Sequence, residues 1–228
     1  WKKNIALMAE YTEEQNRFLN ALHNSTCDDY EHFSPLVEPF IQDGWCTGTD
    51  GHHLLRVKQA LIPENEVWFR KTEHPDVKSV IPTEFNTKKV ITYDAIRAAL
   101  DKVPMTNEVK CEDCHGDGTV TWVYNSVDGI SYDMRGECPV CGGCGEVKLE
   151  DPVKDENYPI KIKDIFISSK QLIWFAKTML TLQLKNICLC SVTDRAYFRR
   201  DLDIDMLIMS CKPESEKELS KNPPIILV

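Results

Sequence analysis

The chain has 228 residues, 42% of them hydrophobic and 28% charged, enough apolar material for one large domain or two small ones. Thirty-six acidic residues against 27 basic ones give a net charge of −9, which argues against a protein that coats nucleic acid by bulk electrostatics. No window reaches the ~18 consecutive apolar residues of a membrane span, and no signal peptide is recognisable.

In chain order, a short apolar run occupies residues 5–8. Thr12 followed three residues later by Gln15 is a capping box, and Phe18, Leu19 and Leu22 share one face, so a helix is expected over 12–23. Residues 40–41 and 45–57 read as strands, punctuated by Gly44 and by Asp50-Gly51. Residues 63–92 carry Pro63, Pro75 and Pro82, with a short strand expected over 67–69. A helix is expected over 93–103, stopped by Pro104, then a cysteine-rich segment over 109–149 and an acidic linker over 150–157. Residues 160–167 alternate like a strand. Ser168 and Gln171 make a second capping box, for a helix through residue 182 with Leu172, Ile173, Phe175, Ala176, Met179 and Leu180 as its apolar face. Strands are expected over 187–192, 196–199 and 204–209, then a flexible charged run over 212–222 and an apolar tail over 223–228. The fold class is α+β, with two similar strand-helix-strands halves.

The cysteine-rich segment carries the strongest chemistry. Residues 111–118 read Cys111-Glu112-Asp113-Cys114-His115-Gly116-Asp117-Gly118, and residues 138–145 read Cys138-Pro139-Val140-Cys141-Gly142-Gly143-Cys144-Gly145. Both fit Cys-x-x-Cys-x-Gly-x-Gly. One such turn supplies two thiolates and two turns complete a tetrahedron, so Cys111, Cys114, Cys138 and Cys141 are expected to bind one Zn2+. The glycines let the chain turn sharply under the metal and aim amides at sulfur. A Cys-x-x-Cys pair can instead be a redox dithiol, but two matched, glycine-bearing copies favour zinc. The double pattern resembles the cysteine-rich zinc region of DnaJ-type co-chaperones, over residues 111–145 only. That family usually carries four repeats and two zincs, so two repeats imply one zinc. His115 and Cys144 stand at variable positions of the pattern and are left out of the ligand set.

Four thiolates leave no open coordination position, which makes the metal structural. Residues 119–124 and 129–134 read as a hairpin between the knuckles. Such a ribbon either presents a surface to a partner or lets zinc replace the core that a ~40-residue insert cannot build. The other cysteines, Cys27, Cys46, Cys188, Cys190 and Cys211, lie in apolar or strand-like segments and read as free thiols in a reducing, cytoplasmic setting.

Thr49-Asp50-Gly51-His52-His53-Leu54 is close to the Thr-Asp-Gly-His-Arg-Leu signature of bacterial sliding clamps, the beta subunit of DNA polymerase III, with His53 in place of Arg. In that family the motif closes a strand pair after the first helix of a clamp domain, which is its place here. The resemblance implies one clamp-like domain in two halves, 1–84 and 158–211, interrupted by an inserted helix and zinc ribbon over 85–157, with 212–228 a flexible tail. It also implies that helices line the DNA side. Lys170 and Lys177, sharing a face with Thr178 and Thr181, would then touch phosphates, as would Arg17 beside Asn20. A ring needs several such domains, hence a homo-oligomer. Read without the resemblance, Asp50-Gly51-His52 is a tight turn. His52 and His53, as neighbours on a strand, point to opposite faces and cannot share a centre. Arg195, Arg199 and Arg200 form a further basic cluster, offset by Asp194, Asp201, Asp203 and Asp205.

There is no Walker loop, His-Glu-x-x-His, Gly-x-Ser-x-Gly or dinucleotide fingerprint. The expected function is a non-enzymatic, DNA-associated accessory protein, with duplex DNA and replication or mobile-element proteins as partners and no membrane. The alternative is a zinc-ribbon protein–protein interaction module that binds no nucleic acid.

Overall fold

The computed structural model describes residues 11–27, 36–63, 75–211 and 223–228. The apolar run at 5–8, the strand expected over 67–69 and the charged run 212–222 lie outside them. In chain order the elements are α1 (Glu13–His23), β1 (Phe40–Gln42), β2 (Trp45–Thr49), β3 (His53–Lys58), β4 (Lys89–Thr92), α2 (Tyr93–Asp101), β5 (Met105–Lys110) and β6 (Thr119–Asn125). They continue with β7 (Ser131–Glu137), β8 (Glu146–Lys154), β9 (Pro159–Ile162), β10 (Ile165–Ser168), α3 (Ser169–Thr181), β11 (Asn186–Val192), β12 (Arg195–Arg200), β13 (Ile204–Met209) and β14 (Ile225–Ile226). The fold is α+β, in two compact units: residues 1–102 with 156–228, and residues 103–155.

Both capping boxes form. The Thr12 hydroxyl accepts from the Gln15 amide while the Gln15 side chain accepts from the Thr12 amide, and Ser168 and Gln171 repeat the exchange. Gln171 reaches further, donating from Nε2 to the Met209 carbonyl at 3.1 Å, which ties the start of α3 to the end of β13.

A seven-stranded sheet runs β1-β2-β3-β13-β12-β11-β4, antiparallel throughout. Each half is a helix followed by a three-strand meander. Their last strands meet at the sheet centre, where Val57 pairs with Ile204 and Leu55 with Met206. Helix α3 packs beside both α1 and α2. It presses Phe175 onto Phe198 of β12, ring centroids 4.5 Å apart, and Trp174 onto His53 of β3 at 3.8 Å. Each fully buried Phe or Leu here contributes roughly 1.5–3 kcal/mol. Helix α1 approaches β2 so closely that a Cβ on Gly48 would lie 2.2 Å from the Leu22 carbonyl oxygen. Glycine is required there by contact.

The other face of the sheet buries Phe40, Leu54, Val77, Tyr197 and Leu207. Beside them Asp205 is wholly buried, accepting from Arg56 at 2.7 Å and Arg199 at 2.8 Å. The expected basic cluster is therefore dispersed into pairs: Arg199 serves Asp205, Arg195 pairs with Asp194, and Arg200 reaches Asp201 and Asn186.

Three expectations differ from the structure. The interrupting segment was expected from residue 85, but β4 pairs with β11 and α2 packs on α3, because Ile91, Ile96 and Ala99 need the core of the larger unit. The single strand expected over 160–167 is a hairpin, β9–β10, turning at Lys163 with φ 50°. The end of the tail is not free: β14 pairs parallel with β9 in a three-stranded sheet. The chain also contains His74-Pro75-Asp76, the tripeptide by which J-domains are known. His74 lies outside the described residues, and Asp76 merely caps a short 3-10 helix, Val77–Val80.

Candidate metal centre

The smaller unit is two antiparallel pairs, β5–β8 and β6–β7, each opening into a cysteine turn. Strand β5 ends at Lys110 opposite Glu146, and β7 ends at Glu137 opposite Thr119, so Cys111 and Cys138 both stand one residue beyond a strand. The amide of Cys111 donates to the Gly145 carbonyl and that of Cys138 to the Gly118 carbonyl, both at 2.9 Å. Gly116 donates to Cys111 and Gly143 to Cys138 in the same way. The two turns are thus related by a local two-fold, each residue matching the one 27 positions on.

Sulfur geometry follows from this pairing. Cys111 Sγ lies 3.7 Å from Cys138 Sγ, Cys114 Sγ lies 3.7 Å from Cys141 Sγ, and all four sulfurs are within 4.8 Å of one another. A tetrahedron with 2.3 Å metal–sulfur bonds has edges of about 3.8 Å, whereas a disulfide needs about 2.05 Å. The group could hold a metal ion; it is not a pair of disulfides, and none of the ten cysteines is disulfide-bonded. Cys111, Cys114 and Cys138 are buried, with Cys141 partly so.

Backbone amides complete the site. Gly118 N donates to Cys114 Sγ and Gly145 N to Cys141 Sγ, both at 3.2 Å. These glycines have φ of 72° and 80° and lie against the opposite turn. A Cβ on Gly118 would sit 2.2 Å from the Gly143 oxygen, and one on Gly145 2.4 Å from that of Gly116. For Cys141, burial opposes ionisation, but the Gly145 amide and the thiols of Cys114 and Cys138 outweigh it and lower its pKa to about 7. For Cys111, the Cys114 amide favours the thiolate, yet burial and its two thiol neighbours push it up to about 12. The four sulfurs cannot all ionise together unaided; a bound cation would supply what the set lacks. Cys144 is exposed and donates to the Cys141 and Glu146 carbonyls, and His115 is exposed too.

Sequence reasoning missed the β5–β8 pair. Residues 150–154 read as an acidic linker because little of β8 is buried, yet Val153 pairs with Thr106 and Lys154 with Met105. The register shift between Thr106 and Glu108 further obscures the alternation.

The remaining candidates are spread over the larger unit. Asp50 accepts from the amides of His52 (2.8 Å) and His53 (2.9 Å), and the Thr49 hydroxyl accepts from Gly51 and donates to His53 O. The His52 carbonyl accepts from the Met209 amide. Thr49-Asp50-Gly51-His52 is therefore a side-chain-braced turn joining β2 to β3. Among the helix residues, Lys170 lies 3.7 Å from Glu156 and Arg17 lies 3.6 Å from Glu13. Lys177 is exposed, with no ion-pair partner among the described residues. Thr178 is buried, so it does not share the lysines' solvent face.

No family model matches the chain, and no curated protein matches it in sequence. Among solved structures it is similar to the DNA polymerase III subunit beta of Borrelia burgdorferi at 11% identity and a TM-score of 0.49, covering 89% of this chain and 63% of that one. It is similar to the DNA polymerase sliding clamp of Bacillus subtilis at 13% identity and a TM-score of 0.48, covering 87% and 62%. For the DNA polymerase III beta subunit of Thermotoga maritima the values are 13%, 0.47, 88% and 63%. The chain spans less than two thirds of the length of each. No residue role follows from similarity at that level.

Proposed function

We propose that the chain is a non-enzymatic, DNA-associated accessory protein: a sliding-clamp-like body into which a ribbon holding one structural Zn2+ is inserted. The observation that carries this reading is the pairing of two helix-plus-meander halves across β3 and β13, with α1 and α3 side by side over the shared sheet. That arrangement offers a surface of helices, suited to phosphate contact without sequence readout. On it Lys177, Arg97 and Lys102 are exposed, and among the described residues Lys170 and Arg17 are each held by a single carboxylate. Zinc is favoured over other metals by an all-thiolate set of tetrahedral dimensions. Ten cysteines without a disulfide suit a reducing, cytoplasmic setting.

The reading requires duplex DNA binding that weakens with salt. Lys170→Glu with Lys177→Glu should reduce affinity by about tenfold or more at low salt. Absence of binding at low salt would overturn it. Encirclement further requires several such bodies closing a ring, for which a homo-oligomer is proposed, and replication or mobile-element proteins are the proposed partners.

A second reading, a zinc-ribbon protein-interaction module with no nucleic-acid contact, is favoured by charge placement. Residues 103–155 hold eleven of the 36 acidic residues but only four of the 27 basic ones, so the acidic excess is concentrated in the ribbon.

A further inference from the structure

We propose that the β6–β7 hairpin is a docking arm for a partner protein whose contact surface is apolar at its centre and basic at its rim. In the register of this hairpin Trp122 faces Met134 and Tyr124 faces Tyr132, and the period of two places all four on one face, with Ile130 just before β7 exposed as well. These five side chains are exposed, at 47% for Trp122, 67% for Met134, 64% for Tyr124, 54% for Tyr132 and 51% for Ile130. The opposite face, Thr121, Asn125, Ser131, Asp133 and Arg135, is polar apart from Val123. The sequence is therefore amphipathic by strand, with its apolar face turned to solvent.

The metal site does not explain this face. Its own apolar lining is Val120 and Val147 against the cysteines, at the base of the hairpin. A two-stranded ribbon is marginal without packing on one face, and contiguous exposed aromatics mark an interaction site. Trp122 is already set for contact. A Cβ on Gly136 would lie 3.0 Å from the indole Cδ1 and Nε1, so the ring rests over that glycine and loses little freedom on binding.

Charge selects the occupant. Stacking of single-stranded nucleic acid on aromatics needs a basic groove alongside. This unit has eleven acidic and four basic residues, and at least two of the four are engaged: Arg135 on Thr119 and near Asp117, Lys148 near Glu108. A second copy would bring the same acidic excess against itself. A basic protein surface is complementary in charge, and Trp and Tyr are the side chains that anchor protein interfaces. The inference needs a folded, metal-loaded ribbon but is independent of whether the larger unit touches DNA.

The test uses the full-length, metal-loaded chain and a fluorescent peptide of alternating Leu and Lys, read by anisotropy. It should bind with salt-sensitive affinity, and its Leu-Glu counterpart should not. Trp122→Ser with Tyr124→Ser should weaken binding by about tenfold or more, and Val123→Ser on the polar face by less than about twofold. Metal content checks that the ribbon remains folded; Tyr124→Ser with Tyr132→Ser, which leaves the Trp122–Gly136 contact in place, serves if the first pair loses metal. Equal binding of the Leu-Glu peptide, or indifference to both aromatic variants, overturns the proposal. Binding of oligo-dT that the same variants abolish overturns it in favour of nucleic acid.

Discussion

The ring of His53 lies between the carboxylate of Asp50, 3.2 Å from Nδ1, and the indole of Trp174, and its Nε2 is buried without a hydrogen-bond partner among the described residues. Burial lowers its pKa to about 4; Asp50 opposes this, while His52 and Lys170 add to it. An unfolded chain protonates this side chain near pH 6.5 and the folded one only near 4, so the unfolded state binds the extra proton between them. Stability contributed by the neutral ring is complete above about pH 6.5 and is lost as pH falls toward 4, by up to ~3 kcal/mol. Urea denaturation at pH 7.5 and pH 5 should show His53→Phe, which keeps a ring against Trp174, losing about 2 kcal/mol less than the parent chain. Equal losses would mean that His53 is charged in the fold. Gly48 makes a separate claim at the same scale. Gly48→Ala must push the Leu22 carbonyl away from β2, and is expected to cost about 1–3 kcal/mol in the same assay. A neutral result would show that α1 can shift without loss.

At the scale of elements, the cysteine turns are expected to depend on metal and the seven-stranded sheet is not. Elemental analysis should find about one zinc per chain, and Cys111→Ser with Cys138→Ser should remove it, each turn losing one thiolate. Amide exchange would then speed up in residues 103–155 and stay slow in β3, β12 and β13. The grouping of the four cysteines was legible because Cys-x-x-Cys-x-Gly-x-Gly records a local geometry: the second glycine of each copy supplies both the amide to sulfur and the close backbone approach. The capped helices were legible for the same reason, since Thr12 with Gln15 and Ser168 with Gln171 act within one turn. What could not be read was pairing at a distance. Nothing in Lys89–Thr92 announces that it will edge the main sheet beside β11, and nothing in the tail announces its register with β9. The aromatic face of the hairpin was written in the alternation of residues 120–136, but its exposure depends on what fails to cover it.

For the whole molecule, the two halves are built alike but the second buries more, with eight buried residues in α3 against four in α1. Each supplies a helix and a meander, and the seam at β3–β13 is closed by backbone pairing together with the Arg56–Asp205 contact on one face and His53 against Trp174 on the other. The acidic excess sits in residues 103–155, which leaves the larger unit 25 acidic against 23 basic residues, close to neutral. The proposed DNA contact would run through a few helix-borne cations, and the sedimentation of the free chain should show a homo-oligomer if it closes around the duplex. The most direct measurement is a salt titration of duplex DNA binding by the full-length, zinc-loaded chain. The account predicts measurable affinity near 50 mM salt that falls steeply by about 200 mM, irrespective of DNA sequence, and that is carried by Lys170 and Lys177. No binding at the lowest salt, with one zinc in place, would contradict it and leave a zinc-stapled protein-interaction module.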